Sequence, residues 1–283
     1  MRPKNTINIL LVSISLLIVH SSAFGQGSLP GALIHLDAST QNIRDKAWRN
    51  LGLAGGELPP NHATPDIKDG TIRIPEAGFT RKLKWYTVGA RGEGFAGKPD
   101  LTPAIKLKDW TAEFLVKRNG PKWANLVVTP QFAGFHSRDR DSQVVRILMH
   151  GPDTGKFIVW IEGKHTGRGG WFGADKLGID IGEKAWHWIA LVFTSGKHLE
   201  SYQNGKRVGA IKLNHRFDFD EALWPTIFHA WDIDRTFNGA LALVRIYDRP
   251  LSHKEINQNI TGNLSVNHRT KLAMTWAGAK MKP

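Results

Sequence analysis

The chain has 283 residues, with 38 Lys and Arg against 25 Asp and Glu, a formal net charge of +13. It contains no cysteine, which excludes disulfide stapling, thiol catalysis and Cys-ligated zinc. Its 11 Trp and 13 Phe supply the bulk for a substantial core in a chain of this length, so no cross-links are needed.

At the N-terminus Arg2 and Lys4 precede an apolar run, Ile9–Val19, and Ala23-Phe24-Gly25 forms a small-x-small site. This pattern predicts an export signal over residues 1–25, with Gln26 the first residue of the mature chain. The run is short of the about 20 apolar residues that span a bilayer. A periplasmic or extracellular protein without a transmembrane segment is expected. The signal carries no acid, so the rest of the chain stays strongly basic and should attract anionic polymers. The basic residues are scattered: Arg81, Lys82, Lys84, Lys106, Lys108, Lys117, Arg118, Lys122, Lys164 and Arg168. Neither an RNA-binding aromatic sheet nor a long basic helix is present, so no specific nucleic-acid partner is expected.

Residues 31–37, GALIHLD, read as an opening strand, followed by a segment holding Trp48 and the run Gly52-Leu53-Ala54-Gly55-Gly56. Residues 57–70 are rich in Pro, Asn and Asp and read as a surface loop. From Trp110 to Lys117 the residues alternate, with Trp110, Ala112, Phe114 and Val116 on one face and Thr111, Glu113, Leu115 and Lys117 on the other. Val144–Met149 and Lys156–Glu162 read as a hairpin. Trp186–Thr194 is apolar in both phases, as in a strand covered on both faces. Leu199–Gln203 and Val208–Leu213 flank Asn204-Gly205, residues that tolerate the positive φ of a type I′ turn. The strand at Phe237–Tyr247 ends in Asp248-Arg249-Pro250. Beyond it Ser252 and Glu255 form a capping box flanked by a Leu251–Ile256 staple, which predicts a helix from about His253 toward Gly262. Residues 265–283 form a basic tail with one apolar patch, Leu272–Trp276.

Two blocks carry a family resemblance. One is Trp186, the strand after it and Tyr202-Gln203-Asn204-Gly205; the other is Phe237-Asn238-Gly239, Arg245–Arg249 and Leu251–Ile256. Together they resemble the laminin-G-like, concanavalin A-like lectin/glucanase superfamily. The resemblance implies an all-β, two-sheet antiparallel jelly-roll sandwich with one short C-terminal helix. Short strands at regular spacing point the same way. The domain is placed at residues 26–264, with the opening region 26–105 resembling the family through Leu36-Asp37-Ala38-Ser39, Trp48-Arg49-Asn50-Leu51-Gly52 and Gly55-Gly56.

The fold does not choose the function. Glycosidases of the resembled superfamily carry Glu-x-Asp-x-x-Glu on one strand, which sets acid and nucleophile on the same face. That motif is missing, and Asp218-Phe219-Asp220-Glu221 has a different spacing. The lyases' Gln-x-His strand, the Gly-x-Ser-x-Gly elbow and the His-Glu-x-x-His helix are missing too. Calcium is a common ligand of laminin-G-like domains, and Asp232, Asp234 and Asn238 are its candidate ligands. The positions where the family often carries acids hold Ala242 and Leu243, so no cofactor is expected.

Aromatic residues offer the remaining clue, because sugar C–H faces pack on indoles while polar neighbours read hydroxyls. Trp110, Trp160, Trp186 and Trp188 lie in strand runs and read as core. Trp85-Tyr86 and Trp171-Phe172, with His165 and Arg168 nearby, sit among basic and loop-like residues, as do Trp224 and Trp231. The expected ligand residues are Trp171, Phe172, Arg168, His165, Trp85, Tyr86 and Trp231. The function that follows is non-catalytic binding of a polysaccharide, anionic rather than neutral. A module docking an envelope protein and an enzyme with an unfamiliar site are the alternatives.

Overall fold

The computed structural model describes residues 29–40, 47–61, 66–74, 79–88, 94–96, 101, 103–119, 131–136, 144–149, 155–162, 170–214, 216–217, 224–227 and 239–262. Two antiparallel sheets hold most of them. The eight-stranded sheet runs in the order β15 (Lys206–Lys212), β14 (His198–Gln203), β13 (Trp186–Thr194), β8 (Trp110–Arg118), β17 (Gly239–Tyr247), β6 (Phe79–Val88), β5 (Asp66–Ile74). β17 pairs with β8 on one edge. Its other edge is shared between β6, opposite Gly239–Leu241, and β1 (Ile34–Asp37), opposite Leu243–Ile246. The register shift between Leu241 and Leu243 falls where the partner changes.

The seven-stranded sheet runs β12 (Gly170–Phe172), β11 (Phe157–Glu162), β10 (Val144–Met149), β9 (Gln131–His136), β16 (Trp224–Ile227), β7 (Gly94–Ala96), β4 (Pro60–Asn61). A separate ribbon pairs β2 (Trp48–Arg49) with β3 (Glu57–Leu58). The stretch expected as a surface loop, residues 57–70, thus holds β3, β4 and the start of β5. Pro60 is tolerated because β4 is an edge strand, with β7 its partner.

The main core lies between the sheets. Trp110, Ala112, Phe114 and Val116 from β8 meet Val145, Ile147, Phe157, Val159 and Ile161 from the facing sheet, with Ile189, Leu191 and Phe193 from β13. Trp110 stacks on Phe193 at 5.2 Å between ring centroids. Leu177, Ile179 and Ile181 join this core from the segment that includes the short helix α1 (Ala174–Leu177). In the opening region Asn50 pins the chain. Its Oδ1 accepts from the N–H groups of His35 and Gly52, and its Nδ2 donates to the carbonyls of Leu33 and Gly55.

A second core lies on the outer side of the eight-stranded sheet. A helix over residues 253–262, α2, covers it. Leu251, Ile256 and Ile260 pack there on Leu115, Trp188, Ala190, Tyr202 and Tyr247, with Leu29 against the same cluster. The helix begins at the expected capping box: the Ser252 N–H donates to Glu255 Oε2 at 2.8 Å, and the Glu255 N–H to Ser252 Oγ at 3.3 Å. The hairpin tip at Asn204 (φ 51°) and Gly205 (φ 85°) sits beneath it, where His253 Nε2 lies 2.6 Å from the Gly205 carbonyl. Sequence alternation gives the outer phase of β8 no buried role, yet Thr111, Glu113 and Leu115 are all buried. The reason is tertiary: Thr111 Oγ1 donates to the Arg249 carbonyl and accepts from the Leu251 N–H, each at 2.9 Å, which seats the chain entering α2 on β8.

Candidate functional site

The two sheets turn different outer faces away from the main core. On the eight-stranded sheet, α2 covers a buried polar cluster. Glu113 is fully buried, and its carboxylate accepts from Asn259 Nδ2 at 2.7 Å and Trp188 Nε1 at 3.4 Å. Arg245 lies opposite Glu113 in the strand register, with its guanidinium 5.8 Å from the Trp188 ring. Asn259 Nδ2 also donates to Tyr247 Oη at 3.0 Å, and Asn259 Oδ1 accepts from the Leu29 N–H at 2.7 Å. Burial pushes the Glu113 carboxyl up to about 7, against the pull of Arg245 and of its two hydrogen bonds. A carboxyl held near neutrality is a familiar mark of general acid–base sites. Here it is sealed under Leu251, Ile256 and Ile260, so its role is to join strand to helix.

The seven-stranded sheet presents a different surface. Val145 and Ile147 of β10 and Phe157, Val159 and Ile161 of β11 face the core, which places Arg146 and Trp160 on the opposite face. In β12, Phe172 faces inward, packing on the core and meeting Phe217 edge-on at 5.9 Å. Trp171 therefore shares the outer face. The register then links these positions directly. Trp171 pairs with Trp160, Trp160 with Arg146, Arg146 with Gly134, Gly134 with Thr226, and Thr226 with Ala96. One continuous row crosses six strands from β12 to β7. A second row on the same face, two residues along, joins Trp224, His136, Val144 and Glu162. Ile158, also on this face, is buried.

The expected ligand residues divide across the molecule. Trp171 stands in the row, whereas Phe172 belongs to the core margin. Trp85 and Tyr86 lie not in a loop but in β6 of the other sheet. There Tyr86 pairs with Ile67 and Leu241, positions that face the core, and Trp85 pairs with the exposed Lys68. No single site therefore unites the Trp85 and Trp171 pairs. His165, Arg168, Trp231 and the candidate calcium ligands Asp232, Asp234 and Asn238 lie outside the described residues. Among the described residues no group of three or more His, Asp and Glu is placed to hold a metal.

Arg146 and Trp160 were not among the expected ligand residues, and Trp160 reads from sequence as core. The alternation in Phe157-Ile158-Val159-Trp160-Ile161-Glu162 does carry the signal. Trp160 shares its phase with Glu162, the phase opposite to Phe157, Val159 and Ile161. Trp224, read as a loop residue, opens β16 on the same face.

Two facing antiparallel sheets, with a helix closing the back of one, define a jelly-roll sandwich. Residues 98–257 match the laminin G family described as the concanavalin A-like lectin/glucanases superfamily, and the chain belongs to it. No curated protein matches the chain in sequence. Among solved structures, the fold is similar to domain 4 of a GH43 extracellular arabinanase from Geobacillus stearothermophilus, determined in complex with arabinotriose. That match has 16% identity and a TM-score of 0.55, covering 83% of this chain and 98% of that one. It is also similar to the binding domain of botulinum neurotoxin serotype D, with 10% identity and a TM-score of 0.55 over 82% of this chain and 51% of that one. The binding domain of Paraclostridial Mosquitocidal Protein 1 matches with 12% identity and a TM-score of 0.50, over 82% and 52%. The chain spans about half the length of these toxin domains. At such identities the likeness is one of fold.

Proposed function

We propose that this chain is an exported, non-catalytic carbohydrate-binding module, that its binding surface is the outer face of the seven-stranded sheet, and that its ligand is an anionic polysaccharide. The observation that carries the reading is the cross-strand row that sets Trp171, Trp160 and Arg146 side by side. Indole positions on adjacent strands suit the C–H faces of sugar rings, and a guanidinium beside them suits a carboxylate or sulfate. The excess of Lys and Arg over Asp and Glu, which persists without residues 1–25, favours the same class of ligand at longer range. The similar arabinanase domain, solved with arabinotriose, supports a carbohydrate as ligand. The export signal read over residues 1–25 supports an extracytoplasmic site of action, with Gln26 the terminus that mass spectrometry of the exported protein should find. No helix among the described residues is long and apolar enough to cross a membrane.

The test is affinity for uronate or sulfated polymers, beside neutral glucans, across salt, with product analysis for depolymerisation. Trp160→Ala and Trp171→Ala should each weaken binding at every salt concentration, by roughly 1–3 kcal/mol from lost apolar burial. Lys68→Ala, on the other sheet, should matter only at low salt, where the Debye length is long. Binding that vanishes at moderate salt and ignores both Trp substitutions would reduce the protein to a nonspecific polyanion binder. Release of shortened products would instead make it an enzyme. Calcium should not raise the melting temperature. A rise abolished by Asp232→Ala would make Asp232 a metal ligand.

A further inference from the structure

We infer that Arg118 forms a carboxylate-binding site at the rim of the sandwich, with Glu183 as a weak internal occupant that an incoming carboxylate displaces. The site belongs to the eight-stranded sheet and does not depend on the sugar-binding reading of the other one. Val116 of β8 faces the main core, so Arg118, two residues further on, lies on the same side at the end of the strand. It is 8% exposed. A guanidinium carries five N–H donors and no acceptor, so one buried this deeply needs anions or carbonyls to receive its hydrogens. Among the described residues, neither Nε nor Nη1 has a hydrogen-bond partner. Nη2 lies 3.7 Å from Glu183 Oε1, close enough for an ion pair and too far for a hydrogen bond. The charge is met at a distance, and the directional bonds of Nε and Nη1 are not made.

The backbone that carries Glu183 is pinned. The Lys184 N–H donates to the Arg118 carbonyl at 2.7 Å, and Lys184 holds φ 62° there, a conformation that resists a side chain. Acceptors on the segment leading to Glu183 are engaged elsewhere: Asp175 pairs with Lys156 at 2.6 Å, and the Asp180 carbonyl accepts from Gln203 Nε2 at 2.8 Å. On β17 the residue opposite Arg118 is Gly239, which puts no side chain beside the guanidinium. The Glu183 side chain is 36% exposed, and Gly182 before it has no atom within 4 Å of where a Cβ would stand. The approach from solvent therefore runs past Glu183. Nε and Nη2 share one edge of the guanidinium. Once Glu183 swings out, a planar carboxylate can take one N–H from each in two parallel bonds.

The probes are acetate and glucuronate, exchanged for chloride at constant ionic strength so that diffuse screening stays the same. The readout is the nitrogen–proton NMR cross-peak of the Arg118 Nε–H in the full chain. It should move saturably, with a midpoint on the order of 10 mM, the affinity that one pair of charge-assisted hydrogen bonds supports. Glu183→Gln removes the internal competitor and should tighten binding roughly threefold, the worth of a loose ion pair. Acetate should also raise the melting temperature of the wild type and not that of Arg118→Lys, which keeps the charge and loses the fork. Circular dichroism establishes that each variant is folded, and if Arg118→Lys is not, the wild-type cross-peak and Glu183→Gln decide. Saturation by acetate alone assigns the site to a small free acid; saturation by both extends it to a sugar acid. A wild-type cross-peak that does not saturate with either acid overturns the inference. So does binding that Glu183→Gln leaves unchanged, or a melting-temperature rise that survives Arg118→Lys.

Discussion

At the scale of single residues, the cluster beneath α2 makes stability depend on pH through two groups that oppose each other. Burial raises the Glu113 carboxyl from its ordinary 4.5 to about 7. The folded state therefore holds a proton that the unfolded state gives up, and stability falls as pH rises from about 4.5 to about 7. His35 lies beside the same Arg245, and burial followed by that positive charge lowers it from 6.5 to about 4. Here the unfolded state binds the extra proton, so stability rises with pH from about 4 to about 6.5. The two slopes offset each other where the windows overlap. Glu113→Gln should unmask the His35 slope. The stability of the variant relative to wild type should improve by roughly 3 kcal/mol between pH 4.5 and 7, at about 1.4 kcal/mol per pKa unit. Urea denaturation of both proteins across that range measures the difference. A difference independent of pH would mean that Glu113 keeps an ordinary carboxyl in the fold.

At the scale of elements, α2 and the β14–β15 hairpin hold one another. Gly205 has φ 85°, which a side chain resists, and a Cβ there would run into Asn257 Oδ1 on the helix. Gly205→Val should cost about 2–3 kcal/mol from backbone strain and the collision together. Adding Asn257→Ala should recover the part due to the collision and leave the backbone part. If the second substitution restores nothing, the tip and the helix are not in register. The cap of the helix is a separate element. Ser252→Ala removes the oxygen that accepts from the Glu255 N–H and should cost about 1 kcal/mol in the denaturation midpoint. Glu255 itself is held down to about 2, chiefly by Arg249, with help from Ser252. Its contribution is therefore complete above its ordinary value and lost as pH falls toward 2.

At the scale of the whole molecule, what could be read from sequence was what depends on near neighbours. Asn204-Gly205 fixes its own turn, Ser252 and Glu255 fix their own cap, and the alternation of Trp110, Ala112, Phe114 and Val116 fixes a core face. What escaped depends on distant pairing. The buried outer phase of β8 needs a chain segment 140 residues further on to cover it. The β5–β6 hairpin, rich in Lys, Arg and Thr, has little hydrophobic alternation, and the flanking strand β17 completes its place in the sheet. Half of the proposed binding row shows the same limit. Trp171 stands out among loop-like residues, but Arg146 and Trp160 become its companions only when β10, β11 and β12 pair.

Asn259 bears on how such a domain is mounted. Its side chain grips the backbone at Leu29 while its own backbone belongs to α2, so the first and last described stretches of the chain meet behind the eight-stranded sheet. The register positions of Trp171, Trp160 and Arg146 fall on the outer face of the other sheet. Fastened to a support by either end, the domain turns that row toward the solution. Immobilisation through an N-terminal or a C-terminal tag should therefore give equal glycan capacity per molecule, and a deficit in one orientation would show that end to reach round to the binding side. The first and last described stretches thus lie behind one sheet, away from the proposed binding face of the other.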